Sequence, residues 1–133
     1  MGAGIYIHFP FCKVKCMYCD FYSIPKRENE IPKFVKALAK EITFYADNHD
    51  IDWEIDTIFL GGGTPSLFTT KGLELILETL DQRFSLSNIK EITLEANPGE
   101  APFNKLKSFK KLAGNRLSMG FQSFDENLLK FLG

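Results

Sequence analysis

Apolar residues along the chain recur at two spacings, one typical of strands and one typical of helices. Strand-like stretches run from Ile5 to Phe9, from Thr57 to Leu60 and from Glu91 to Glu95, and a fourth begins at Leu117. A helical pattern follows each of the first three, with apolar positions at Ile31, Phe34, Val35, Leu38, Ile42 and Tyr45, then at Leu73, Ile76, Leu77, Leu80 and Phe84, then at Leu106, Phe109 and Leu112. With a helix after the last strand, the chain predicts four strand–helix units.

Local signals mark where two of these helices end and begin. Gly114 follows the third helical pattern and predicts the C-terminal stop of that helix. Ser123, with Glu126 three residues later, has the form of a capping box and predicts the start of the fourth helix.

Consecutive strand–helix units predict an α/β fold in which parallel strands are joined by right-handed crossovers. The apolar phase of the last two strands should face the covering helices: Ile92, Leu94, Leu117, Met119 and Phe121. The opposite phase should face an interior cavity: Thr93, Glu95, Ser118, Gly120 and Gln122. An eight-unit barrel requires roughly 200 residues or more. We therefore expect the 133 residues to be a partial parallel barrel from a longer domain.

Composition indicates a globular domain and excludes several functional classes. Apolar residues make up 44% of the chain and charged residues 25%, with a net charge of −1. The basic run lies on one helical pattern and consists of Lys105, Lys107, Lys110 and Lys111. We interpret this run as a solvated helix face and exclude nucleic acid as a partner. No apolar stretch approaches the roughly 20 residues of a membrane-spanning helix, and no secretory signal opens the chain.

Three cysteines, Cys12, Cys16 and Cys19, lie in the loop after the first predicted strand. An odd number without an export signal argues against disulfides and for metal ligation in a reducing compartment, so we expect a cytoplasmic location. Thiolates spaced this closely suit one iron–sulfur cluster, and three ligands leave one iron of a [4Fe–4S] cluster open. The alternative is a structural zinc site completed by His8 or His49, although structural zinc usually draws its ligands in two separated pairs.

A run of three glycines, Gly61, Gly62 and Gly63, follows the second predicted strand and leads into Thr64. Glycine lets the backbone approach a ligand closely, but it also forms tight strand-to-helix turns. No Lys-Ser or Lys-Thr pair ends the run, which argues against a Walker-type phosphate loop. Pro65 interrupts the spacing of a dinucleotide-binding fingerprint.

Loops that follow parallel strands lie together at one end of the sheet. We therefore expect the cysteine loop and the glycine run to meet two polar residues at the ends of later strands, Glu95 and Gln122. A buried carboxylate requires partners, which ribose hydroxyls or an ammonium group of a ligand would supply. The alternative is that Glu95 and Gln122 are ordinary solvent-facing residues.

Five stretches resemble radical S-adenosylmethionine (SAM) proteins, in the branch that contains oxygen-independent coproporphyrinogen III oxidase and a haem chaperone. They are Tyr6-Ile7-His8-Phe9-Pro10-Phe11-Cys12, the cysteine triplet, Gly61 to Ser66, Glu95-Ala96-Asn97-Pro98 and Gly120-Phe121-Gln122-Ser123-Phe124. The triplet indicates the superfamily and the other stretches together indicate the branch. The resemblance implies that residues 1–133 are the N-terminal part of a radical SAM core domain, truncated at the C-terminus, with about four of roughly six strand–helix units.

By this resemblance, Cys12, Cys16 and Cys19 hold the [4Fe–4S] cluster and SAM binds its open iron. The implied cofactor contacts are Tyr6 near the cluster, Tyr18 at the adenine, Gly61, Gly62, Gly63 and Thr64 at the methionyl end, and Glu95 and Gln122 at ribose or methionyl groups. An electron from the reduced cluster would cleave SAM to methionine and a 5′-deoxyadenosyl radical, which implies an oxidoreductase-type enzyme. No catalytic side chain is assigned.

The residue two positions after Cys19 separates the two members of the branch. The oxidase usually has a fourth cysteine there, whereas this chain has Phe21, and Asp20-Phe21-Tyr22 is similar to the haem chaperone. The resemblance therefore implies a haem chaperone that binds haem through residues further along the chain and delivers it to a recipient protein. An electron donor is a further implied partner. The alternative is an oxidase that decarboxylates porphyrinogen propionates.

Overall fold

The structure, a computed structural model, describes residues 2–48 and 54–132. Its strands are β1 (Gly2–Phe9), β2 (Phe11–Cys12), β3 (Ile24–Pro25), β4 (Glu54–Gly62), β5 (Glu91–Ala96) and β6 (Arg116–Met119). Its helices are α1 (Ile31–Asn48), α2 (Thr70–Phe84), α3 (Phe103–Lys111) and α4 (Glu126–Leu132), and single 3₁₀ turns occupy Glu28–Glu30 and Pro65–Leu67. Within those ranges, no helix is long and apolar enough to cross a membrane.

The long strands form one parallel sheet in the order β1-β4-β5-β6. Helices α1, α2 and α3 lie in the connections between successive strands of this sheet, as parallel pairing requires. The short strands β2 and β3 pair with each other, also in parallel, and bracket the cysteine loop. The predicted α/β fold of parallel strands and crossover helices is confirmed.

The core lies between the sheet and the helices, and its aromatic part lies directly below the cysteine loop. Phe9 packs with Phe11, with Phe34 of α1 and with Phe68, at ring-centroid distances of 4.3 to 5.8 Å. Phe34 also packs with Phe11 (5.4 Å) and with Phe68 (6.4 Å). Burying a phenylalanine side chain contributes roughly 1.5–3 kcal/mol. Because Phe11 immediately precedes Cys12, this cluster fixes the base of the loop.

The predicted faces of the sheet are confirmed for β5 and are partly wrong for β6. Ile92 and Leu94 are buried in the core, and Glu95 lies on the opposite face. Leu117, however, is 36% exposed, and β6 ends at Met119, so Phe121 lies outside the strand and is 47% exposed. The reason is that α4 buries none of its described side chains and does not cover this part of the sheet.

Both predicted helix boundaries are shifted. Helix α4 is capped by the carboxylate of Asp125, which accepts hydrogen bonds from the amides of Asn127 (2.8 Å) and Leu128 (3.0 Å). The hydroxyl of Ser123 instead accepts a hydrogen bond from the amide of Asp125 (3.0 Å). The prediction of a capping box that begins at Ser123 is therefore wrong. Beyond α3, the residue with positive φ is Ala113 (66°) rather than Gly114. Gly114 lies against the ring of Phe109, where an added Cβ would come within 2.4 Å.

Candidate functional site

The cysteine loop is closed by backbone and side-chain hydrogen bonds. The amide of Ile24 donates to the carbonyl of Pro10 (2.7 Å), and the amide of Lys26 donates to the carbonyl of Cys12 (3.2 Å). Inside the loop, Lys15 Nζ donates to the carbonyl of Phe21 and to Ser23 Oγ (2.9 Å). These bonds hold the segment that carries the three cysteines in a compact turn over the strand ends.

All three thiols are free, and they differ in burial. Cys12 is buried, whereas Cys16 and Cys19 are partly exposed. The amide of Cys19 donates to the carbonyl of Cys16 (3.0 Å), so the second and third cysteines share one tight turn. The pKa of Tyr18 is raised, first by desolvation, then by a hydrogen bond with Cys16 and by the charges of Cys16 and Cys19.

The glycine run extends β4 and passes directly beneath Cys12. Gly61 and Gly62 pair with His8 and Phe9 of β1 and so continue the strand. Gly62, with a φ of 113°, is the last residue of β4 and leads through Gly63 to the 3₁₀ turn at Pro65–Leu67. The amide of Gly63 donates to the carbonyl of Phe9 (2.7 Å). A Cβ on Gly63 would lie 2.6 Å from the carbonyl oxygen of Phe11 and 3.0 Å from Cys12 Sγ. Glycine is therefore required for the loop to pack this closely.

Glu95 lies at the end of β5 and faces the glycine run. Its Oε2 accepts a hydrogen bond from the amide of Gly62 (3.0 Å), and a Cβ on Gly61 would lie 3.1 Å from the same oxygen. Desolvation, and secondly the charge of Glu95, raise the pKa of Tyr6, whose ring stacks on Phe59. The carboxylate, the phenol and the glycine backbone thus form one polar surface on the inward face of the sheet.

His8 is fully engaged within this surface. Its Nδ1 lies 3.1 Å from the hydroxyl of Tyr6, and its Nε2 lies 2.7 Å from the carbonyl of Tyr22. With both ring nitrogens in hydrogen bonds, His8 links β1 to the cysteine loop and is poorly placed to act as a zinc ligand. His49, the other histidine considered for that role, lies outside the described residues.

Two grooves open at the strand ends, and Gln122 lines both. The first has a volume of about 160 Å³, and its lining includes Glu95, Gln122, Gly62, Gly63 and Phe21. The second has a volume of about 400 Å³ and includes Tyr18 and the stacked rings of Phe121 and Phe124. The positive φ of Gln122 (56°) turns the chain at the point where the two grooves meet.

The structure thus brings the predicted site residues together at the carboxyl ends of the strands. Those on the inward face or in the grooves are Tyr6, Tyr18, Gly61, Gly62, Gly63, Glu95 and Gln122. Thr64 lies beneath them, buried against Cys12 (Oγ1 to Sγ, 3.5 Å). The convergence of four strand ends expected from the topology is observed.

Sequence reasoning missed several residues that complete the site. Asn97 Nδ2 donates to Thr64 Oγ1 (3.2 Å), and Glu100 pairs with Lys13 of the cysteine loop (Oε1 to Nζ, 3.7 Å). The signal that could have found this position is the Asn97-Pro98-Gly99 sequence, which is typical of a turn, although it does not indicate the contacts of Asn97 or Glu100.

The donor set fits an iron–sulfur cluster with one open position. It consists of three unpaired thiols on one closed loop, the first of them packed on a glycine that leaves room for its sulfur. Among residues 2–48 and 54–132, no three His, Cys, Asp or Glu side chains converge on a position that would hold a single ion. A cluster binds each thiolate to a different iron, so its cysteines need not meet at one point.

Comparison with protein families identifies one match over nearly the whole chain. The model of the radical SAM superfamily matches residues 6–133. Among solved structures, coproporphyrinogen III oxidase (HemN) from Escherichia coli, a radical SAM enzyme, is similar with a TM-score of 0.87 and 27% sequence identity. The similarity covers 97% of this chain and 30% of that one.

Curated proteins give matches of greater sequence identity. Heme chaperone HemW from Buchnera aphidicola subsp. Schizaphis graminum is 39% identical over 96% of this chain, and HemW from Escherichia coli K12 is 39% identical over 98%. Radical S-adenosyl methionine domain-containing protein 1, mitochondrial, from Danio rerio is 35% identical over 98%. The chain spans 34%, 34% and 29% of these relatives, respectively, or about a third of their length.

Proposed function

Because this chain belongs to the radical SAM superfamily, we propose that residues 1–133 form the N-terminal part of its core domain and that Cys12, Cys16 and Cys19 hold a [4Fe–4S] cluster. The superfamily is enzyme-type, and the cluster and SAM supply radical chemistry when bound. The observation that carries this proposal is the packing of the cysteine loop on the glycine run, with Cys12 Sγ 3.0 Å from where a Cβ of Gly63 would lie.

The residues around the loop would bind SAM. The backbone of Gly61, Gly62 and Gly63, with Thr64 below it, would accommodate the methionyl end close to the cluster. Glu95 and Gln122 line the adjoining groove, where a carboxylate and an amide suit a ligand ammonium group or ribose hydroxyls.

Two aromatic residues would bound this cofactor site. Tyr6 would lie beside the cluster on the inward face, where its ring is close to Gly61. Tyr18 lines the larger groove and would pack near the adenine. Together these side chains would orient the cofactor and exclude water from it, which radical chemistry requires.

We propose that the whole protein is a haem chaperone, which binds haem and delivers it to a recipient protein. The support is the similarity to HemW proteins, at 39% identity for two of them, and the presence of Phe21 where the oxidase usually has a fourth cysteine. Phe21 lines the small polar groove. Haem ligands would lie in the part of the protein beyond this chain. The free thiols suit the cytoplasm, where an electron donor would reduce the cluster.

The second candidate function is oxidative decarboxylation of porphyrinogen propionates. The specific observation that favours it is the fold similarity to coproporphyrinogen III oxidase, with a TM-score of 0.87.

Anaerobic incubation of the full-length protein with haem and, separately, with porphyrinogen distinguishes the two functions. The cluster is first reconstituted, and SAM and a reductant are then added. The chaperone proposal predicts a stable haem complex, seen in the Soret absorbance, and no decarboxylated product. Product that depends on SAM and is lost in Cys16→Ser would overturn the chaperone proposal and support the oxidase.

A further inference from the structure

A hydroxyl group donates a hydrogen bond to the sulfur of the first cysteine. Thr64 is only 2% exposed, and its Oγ1 donates to Cys12 Sγ at 3.5 Å. The same oxygen accepts a hydrogen bond from Asn97 Nδ2 (3.2 Å). A threonine hydroxyl has one hydrogen. Because Asn97 occupies an acceptor position of the oxygen, the hydrogen is directed to the sulfur.

Asn97 is itself held in place by both hydrogens of its amide nitrogen. One is donated to Thr64 Oγ1 and the other to Glu100 Oε2 (2.9 Å). A turn fixes the backbone between them, because the amide of Glu100 donates to the carbonyl of Asn97 (3.1 Å) across Pro98 and Gly99 (φ 80°). This is the sequence that a type II turn favours.

The other carboxylate oxygen of Glu100 ties this turn to the cysteine loop. Glu100 Oε1 lies 3.7 Å from Nζ of Lys13, the residue after Cys12. The loop after β5 is therefore joined to the cysteine loop by an ion pair and by the chain of hydrogen bonds through Thr64. Residues 33 and 52 positions apart in sequence form one connected unit.

We propose that Thr64 sets the reduction potential of the cluster through its hydrogen bond to Cys12 Sγ, and that Asn97 is the positioning residue that orients the hydroxyl. This inference rests on the proposed function, because it requires that Cys12 bind the cluster. Hydrogen bonds to the sulfurs are among the factors that set cluster potentials. Reduction adds one electron to the cluster and makes and breaks no bond, so a donor at the ligand sulfur stabilises the more negative, reduced state.

Burial strengthens this effect. In the interior a hydrogen bond is electrostatically stronger than in water, and Thr64 and Cys12 are both buried. The other two cysteines are partly exposed. A hydrogen-bond donor therefore has a larger effect on the reduction potential of the cluster at Cys12 than at Cys16 or Cys19.

The test is a reductive titration of the full-length reconstituted protein, followed by electron paramagnetic resonance in the absence of SAM. Thr64→Val removes the hydroxyl and keeps the branched shape, and we expect the equilibrium constant for reduction to fall at least threefold, equivalent to about 28 mV at 59 mV per tenfold change for one electron. Thr64→Ser restores the hydroxyl and should return the potential towards that of the wild type. Thr79→Val, on helix α2, is the matched control because its hydroxyl donates only locally, to the carbonyl of Leu75.

Asn97→Leu tests the positioning role without altering Thr64. We expect a shift in the same direction as that of Thr64→Val but smaller, because the hydroxyl remains and is free to rotate. This variant also decides the question if Thr64→Val fails to retain a cluster.

Each outcome has a definite meaning. Normal iron and sulfide content with an unchanged potential in Thr64→Val overturns the inference. If that variant retains its cluster, an unchanged potential in Asn97→Leu removes Asn97 from the inference. If Thr64→Val retains no cluster, an unchanged potential in Asn97→Leu overturns the inference as a whole. If the wild-type protein retains neither iron nor sulfide, the proposed function is contradicted. The inference about Thr64 then also fails, because it requires a bound cluster.

Discussion

Tyr6 and Glu95 form an electrostatic pair on the inward face of the sheet. Desolvation and, secondly, the charge of Glu95 raise the pKa of Tyr6 above its ordinary value. We expect Glu95→Gln to lower the pKa of Tyr6 while leaving it above its ordinary value, because the partial desolvation of the phenol persists. The phenolate absorbance near 295 nm, with Tyr6→Phe to assign the signal, measures this change. An identical pKa in Glu95→Gln and the wild type would show that the two groups do not interact.

The same pair gives a pH dependence of stability with a defined sign. The folded-state pKa of Tyr6 lies above its unfolded value, so the contribution is complete below about pH 10 and is lost as the pH rises through the folded-state pKa. We expect the free energy of unfolding to fall in that alkaline window, and to fall less in Tyr6→Phe. Urea titrations of both proteins across the window provide the comparison, and parallel profiles would contradict the assignment.

Gly63 allows the loop to pack on the strand ends. In Gly63→Ala the new methyl group would lie 2.6 Å from the carbonyl oxygen of Phe11 and 3.0 Å from Cys12 Sγ. We expect the variant to fold but to retain much less iron after reconstitution. Gly2→Ala is the control, because there the methyl group meets only the side chain of Asp56. Equal iron content in the two variants would disprove the packing argument.

At the scale of elements, the aromatic cluster couples the core to the cysteine loop. Phe9 is fully buried among Phe11, Phe34 and Phe68. We expect Phe9→Ala to lower the free energy of unfolding by about 3–5 kcal/mol. Phe44→Ala, at a site that is 60% exposed on α1, should change it by about 0.5 kcal/mol or less. Denaturant unfolding monitored by circular dichroism measures both, and a similar loss in both variants would contradict this account of the core.

The first three strand–helix units could be predicted because each has a clear period and is buried on one face. The pattern of Ile31, Val35 and Ile42 gave α1 because these residues pack into the core. The fourth unit was less predictable, because α4 buries none of its described residues. The apolar pattern there therefore does not correspond to side chains packed in the core. The carboxylate of Asp125 caps the start of α4, in place of the capping box expected from Ser123.

The site was predictable to the extent that its chemistry is local in sequence. The cysteine spacing and the glycine run are contiguous motifs, and the parallel topology implies that Glu95 and Gln122 meet them. The contacts of Asn97 and Glu100 could not be predicted, because they depend on how loops 33 residues apart approach in space. The packing of Gly63 against Cys12 likewise follows from strand register, which the periodicity does not specify.

At the scale of the whole molecule, the candidate site lies at the strand ends, and the hydrophobic core lies between the sheet and the helices. The thiols, the glycine run, Glu95 and Gln122 share one rim, whereas the aromatic and aliphatic core lies beneath it. The chain spans about a third of the relatives that it matches. Haem binding and delivery are therefore tested on the full-length protein, whereas all three proposed cluster ligands, Cys12, Cys16 and Cys19, belong to this chain.

The measurement that tests the central claim most directly is metal and sulfide analysis of protein purified and reconstituted anaerobically. We predict roughly four iron and four sulfide per chain, as for one [4Fe–4S] cluster, with loss of both in Cys12→Ser, Cys16→Ser and Cys19→Ser. One tightly held zinc ion per chain, with neither iron nor sulfide, would contradict the claim and identify a structural zinc site instead.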